Sequence, residues 1–156
     1  MKTSAVKSFL IKTVTLFVAH FSLLHAQDHF AVYATNTESA KPAAYIFEVT
    51  FASELSANHQ IKIVFPNAFN VNPVMMAVSE KLGGSLKTTV EKNSLTLHQN
   101  KADLAIAAGD TVDLQIASII NPAFIDQEWE FTFILSKDQV EIEKKMLLSR
   151  VVQLKK

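Results

Sequence analysis

Alternation with a period of two runs through most of the chain, and it points to strands. Tyr45, Phe47, Val49 and Phe51 fall on one face of a segment whose other face carries Glu48 and Thr50. Ile61, Ile63 and Phe65 alternate with Lys62, Val112, Leu114 and Ile116 with Asp113 and Gln115, and Trp129, Phe131, Phe133 and Leu135 with Glu130 and Thr132. A helix would scatter these side chains round its axis, whereas a strand places every second one on the same side. Shorter segments of the same character are residues 30–34, 74–78, 86–90, 95–97 and 104–106. Residues 81–85, with two glycines, and residues 91–94 fit hairpin connections. Residues 107–110 and Asn121-Pro122 punctuate the second half. No interval between strands is long enough for a crossover helix. The expected fold is therefore all-β, a single antiparallel β-sandwich of about seven to nine strands.

The last part of the chain reads two ways. Val140 and Ile142 alternate with Glu141 and Glu143, as in a strand, while Val140, Leu147, Val151 and Leu154 also fit one helical face. Two short strands are expected there, because a sandwich needs closing pairs. Adjacent Met75 and Met76 should point to opposite faces of a strand, one to the core and one to solvent.

The first 26 residues have the order of an export signal. Lys2, Lys7 and Lys12 precede an apolar run from Val14 to Leu24, which ends on Leu24-His25-Ala26. The run is too short and too interrupted for a confident membrane-spanning helix. Cleavage after Ala26 would leave residues 27–156 as one β-sandwich domain with no stable membrane span. The whole chain has 15 basic and 15 acidic side chains, and beyond residue 26 the balance is 12 to 15, a net of −3. Such a surface does not suit nucleic acid, which needs a basic face. With no cysteine in the chain, thiol chemistry, disulfides and cysteine-held metal are excluded, and stability must come from packing.

In the stretch Gln60 to Val71, a strand runs into a proline and then another large aromatic, Phe69. Pro66 cannot donate a ladder hydrogen bond, so pairing should stop there. Phe65 and Phe69 are expected to plug one end of the core rather than to form a ligand platform. With this corner in place, the order Tyr45-x-Phe47-x-x-x-Phe51, Leu55, Ile61-x-Ile63-x-Phe65-Pro66-x-x-Phe69-x-Val71, Ala108-Gly109-Asp110-x-Val112 and Ile120-Asn121-Pro122 resembles the immunoglobulin-like β-sandwich modules of bacterial surface-layer and adhesin-type proteins. The resemblance spans roughly residues 43–135. It departs at Asp126-Gln-Glu-Trp129, where such modules usually place a glycine, and in its single copy. It implies a structural or binding role and supplies no catalytic residues.

Residue patterns that carry chemistry are sparse. His29, His59 and His98 have no metal-ligand spacing. There is no G-x-S-x-G and no phosphate-binding glycine loop, and the carboxylate pairs Asp110/Asp113 and Glu128/Glu130 read as solvated strand faces. The expectation is a non-enzymatic module that requires no cofactor. It would be exported to the periplasm, cell surface or medium, and would bind another surface or envelope protein or a glycan. Its contact loops are expected around Asn67 and Asn70 and around Asn121, Phe124 and Asp126. The alternatives are a copper- or zinc-binding carrier using the histidines, and a hydrolase with scattered carboxylates, which would need a concave pocket.

Overall fold

A computed structural model describes residues 29–56, 58–99 and 104–155. Nine strands follow one another: β1 Phe30–Ala34, β2 Pro42–Thr50, β3 His59–Val64, β4 Met76–Ser79, β5 Gly84–Glu91, β6 Ser94–Gln99, β7 Thr111–Ile120, β8 Glu128–Lys137 and β9 Val140–Gln153. No helix occurs among the described residues. The export signal expected over residues 1–26 lies outside them.

The all-β expectation holds, and the arrangement of the strands is more particular than a two-sheet antiparallel sandwich. The strands form one hydrogen-bonded sheet, β1-β2-β7-β4-β5-β6-β3-β8-β9, closed as a barrel. Every neighbouring pair is antiparallel except the closing one, where Val32–Ala34 of β1 run parallel to residues 151–153 of β9. The closure depends on the length of β9. The end of the chain is one 14-residue strand rather than two short ones. It pairs with β8 from Val140 to Arg150 and then passes on beside β1. The hairpin that launches it turns on Asp138 and Gln139, both in the left-handed region at φ 49 and 68. Two such residues are what a two-residue turn between twisted strands requires.

The remaining segments follow their chemistry. The glycines of the 81–85 connection have φ of 85 and 101 at Gly83 and Gly84, a backbone glycine adopts without strain. The strand expected over residues 74–78 begins only at Met76, and both methionines are exposed, Met75 by 85% and Met76 by 54%. Ala77 takes the inward place that one of them was expected to fill. Over residues 104–106 there is no strand, only a bridge from Ile106 to Leu55.

The inward faces meet in one apolar core centred on aromatic rings. Phe47 is fully buried and lies edge-on to Phe65, Phe131 and Phe133 at centroid distances of 5.7, 5.3 and 5.8 Å, with Tyr45 stacked at 6.1 Å. These residues come from β2, β8 and the end of β3, so one cluster ties together strands on opposite sides of the barrel. Each buried phenyl contributes about 1.5–3 kcal/mol, and each edge-to-face pair about 0.5–1.5 kcal/mol beyond burial. Phe47→Ala should therefore lower the unfolding free energy by about 3–5 kcal/mol, measured by urea denaturation. Val64→Ala, at a half-buried outward position, should cost much less.

Candidate functional site

The corner after β3 is core closure, as its residues led us to expect. Phe65 and Phe69 are 1% and 3% exposed. Phe69 stands edge-on to Trp129 at 5.0 Å and to Tyr45 at 5.9 Å. The aromatic rings thus stop beneath the loops at this end of the barrel, and what they support is the loop end itself.

Residues 35–41, the corner 65–75, the β5–β6 turn and residues 121–127 all emerge at that end. Hydrogen bonds join them into one unit. Asn70 and Ile120 exchange backbone bonds of 3.2 and 2.9 Å, which brings the two expected contact loops together. Asn121 N–H donates to the Lys41 carbonyl at 3.0 Å. Asn93 Nδ2 donates to the Phe65 carbonyl at 2.7 Å and to Asn67 Oδ1 at 3.0 Å, fixing the start of the corner. Trp129 Nε1 donates to the Ile125 carbonyl at 3.1 Å and holds the far side of the 121–127 loop.

Asn121 is the bracket of this end. It is 3% exposed. Its Oδ1 accepts the Tyr45 hydroxyl at 2.5 Å, and its Nδ2 donates to the carbonyls of Asn36 and Glu38, each at 2.9 Å. The hydrogen bonds of this buried amide are directed inward, so Asn121 holds the 35–41 loop and its own loop to β2 and offers nothing outward. The other residues expected to make contacts lie open. Asn67 and Asn70 are exposed, Phe124 is 81% exposed, and the Asp126 side chain, 3.8 Å from Arg150, is almost fully in solvent. Met75, expected with Met76 to give one residue to the core and one to solvent, is exposed on the same end. Sequence reasoning missed the Tyr45–Asn121 bond, whose partners are 76 residues apart.

Among the described residues the fully buried polar ones are Thr50, Ser79, Ser94 and Asn121, and the inward Glu143 is engaged by the Ala52 and Ser53 N–H groups and lies 3.6 Å from Lys145. A nook bounded by Leu55, Ile61, Leu82, Leu86 and Leu97 measures about 10 Å³, no more than one water needs. Of the histidines, His29 Nε2 lies 2.8 Å from Glu48 on the outer surface. His59 and His98 share an open depression of about 250 Å³ with Asp138, but His59 Nδ1 is taken by the Ser56 N–H at 2.6 Å. Among the described residues no three histidine or acidic side chains are placed to hold a metal ion. Asp110, Glu128 and Glu130 are exposed, and Asp113 lies 3.5 Å from Ser79 Oγ and from the Glu80 N–H.

No protein-family model matches the sequence, and no curated protein is similar to it. Among solved structures, the chain resembles bacterial surface modules. One is the collagen-binding subdomain of the Enterococcus faecalis surface protein ACE, at 12% identity and TM-score 0.45, covering 80% of this chain and 96% of that one. Another is the collagen-binding domain of a Staphylococcus aureus adhesin, at 12% identity and TM-score 0.42, covering 80% and 97%. A third is the major pilin subunit of Bacillus cereus, at 5% identity and TM-score 0.41, covering 80% of this chain and 40% of that one. At these values the likeness is one of outline and carries nothing about ligands.

Burial pushes the Tyr45 phenol pKa well above its ordinary value of about 10. Between the two values the unfolded chain loses this proton before the folded one, so it binds fewer protons and stability falls as pH rises. The Tyr45 contribution is complete below about pH 10 and is lost above it. Tyr45→Phe should cost about 1–3 kcal/mol at neutral pH, by leaving Asn121 Oδ1 unpaired. It should also flatten the alkaline decline. Thermal melts from pH 7 to about 11 check both effects.

Proposed function

We propose that the chain is an exported, non-catalytic binding or structural module of the bacterial cell surface or envelope, and that it engages a protein or glycan through the loop end of the barrel. The observation that carries this reading is the Asn70–Ile120 bridge. It joins the two loop groups on a fixed base and leaves Phe124 and Met75 standing in solvent at 81% and 85% exposure. Large apolar side chains held on a rigid support, at the same end as the exposed Asn67, Asn70 and Asp126, have the make-up of a contact surface that mixes apolar and polar groups. A barrel filled by apolar side chains, its inward Glu143 engaged by the N–H groups of Ala52 and Ser53, supports binding over turnover. Export is supported by the order of the first 26 residues.

The test is capture from native host envelopes with the tagged protein as bait, with Phe124→Ala and the combined Met75→Ser/Phe124→Ser as comparison. The wild type should retain a specific envelope protein or glycan-bearing component. Phe124→Ala should weaken that retention by about tenfold or more, in the range of a contact hot spot. It should leave the melting temperature unchanged, because the side chain has almost no contacts to lose. Equal capture by all three proteins would reject the loop end as the contact surface.

A further inference from the structure

Strand β9 carries more edge than the barrel uses. Its pairing with β8 runs from Glu128↔Arg150 to Lys137↔Val140, but its pairing with β1 is confined to Val32↔Val151, Tyr33↔Val152 and Ala34↔Gln153. On the β1 side, residues 140–150 therefore have no strand partner among the described residues. Leu154 N–H donates to the Ala34 carbonyl. Because backbone groups alternate sides along a strand, those of Lys144, Met146 and Leu148 face this open edge. An open edge is a template for another strand unless something blocks it.

The usual block is a charge pointing inward, which a new strand would bury unpaired. Glu143 and Lys145 do point inward, with side chains 11% and 13% exposed. Both are satisfied from within the barrel. Glu143 accepts the N–H groups of Ala52 and Ser53 at 2.9 and 2.8 Å and lies 3.6 Å from Lys145 Nζ. The other side of the strand exposes apolar groups, with Ile142, Met146 and Leu148 at 43, 60 and 65% exposure; Val140, beyond the bulge and opposite Lys137, falls on the opposite face.

We infer that β9 pairs with the β9 of a second copy of this chain, antiparallel about a two-fold axis through Lys144. The residues flanking Lys144 are self-complementary about that point. Ile142 comes opposite the second copy's Met146 and Glu143 opposite its Lys145, each contact occurring twice by symmetry. Other registers lose this match. Centred on Ile142, the bulge itself falls on the axis and breaks the pairing; centred on Glu143 or Lys145, two half-buried like charges face each other. Centred on Met146, Lys144 falls on Leu148 and Ile142 on Arg150. Lys144 meets its own copy at the axis on the solvent side, where repulsion is weak and screened by salt. The bulge that leaves Ile142 opposite no residue of β8 bends the strand at the margin of the contact. This edge runs along the barrel wall, so the pairing leaves the loop end free for its own partner.

Sedimentation velocity over a concentration series tests the inference, using protein expressed from the full 156-residue sequence. The wild type should pass from monomer to dimer, and Met146→Asp should weaken the dimer by about tenfold or more with unchanged circular dichroism. Lys144→Glu supplies a second, independent reading. Mixed with wild type it should form mixed dimers in excess of the statistical share, because the axis then holds opposite charges. A wild-type monomer at every concentration would overturn the inference. So would a dimer indifferent to both substitutions, or a monomer in which the chain's own N-terminal residues protect the Met146 and Leu148 amides from hydrogen exchange.

Discussion

The Phe47 ring is the point on which the rest of the structure depends. Three edge-on neighbours and one stacked neighbour reach it from β2, β8 and the corner after β3. A chain with no cysteine has no covalent staple to hold distant strands together. Apolar burial must do that, and aromatic rings span the barrel most efficiently because each is large and has few rotatable bonds. Phe65 and Phe69 extend the cluster to one end, where Trp129 and Tyr45 continue it to the loops.

The polar bracket follows from this apolar one. Tyr45 stands in the core with its hydroxyl aimed upward, and a buried hydroxyl needs a partner. Asn121 is that partner, and its remaining hydrogen-bonding groups fix residues 36 and 38. The loop end is thus determined from below: rings place Tyr45, Tyr45 places Asn121, and Asn121 places the 35–41 loop, while Ile120 beside it holds the corner at Asn70. Phe124, Met75 and Asp126 can stand in solvent because the backbone that carries them is secured without them. A preformed surface of this kind loses little conformational entropy when a partner binds.

Much of this was legible in the alternation of residues. The faces of β2, β3, β7 and β8, the hairpin glycines and the Phe-Pro corner all follow from local periodicity and turn chemistry. What was not legible is what distant segments do to one another. The β1–β9 pairing joins residues about 119 apart and leaves no local mark. Glu143 and Lys145 occupy inward positions of β9 and interrupt the period that would have announced one long strand. Their tolerance there depends on the N–H groups of Ala52 and Ser53. Asn121 beside Pro122 read as an exposed turn, because nothing near it in the chain signals Tyr45. The grouping of the two contact loops was implied only by their both following strands that end on the same side.

Native-state amide hydrogen exchange on the full chain tests the preformed loop end most directly. If the aromatic core and the Asn121 bracket fix that end, the amides of Asn70, Ile120 and Asn121 should exchange nearly as slowly as those of Phe47 and Phe133. The amides of residues 123, 124 and 126, beyond the bracket, should exchange quickly. Fast exchange at Asn70, Ile120 and Asn121, with slow exchange confined to the strands, would contradict a loop end held rigid by the core.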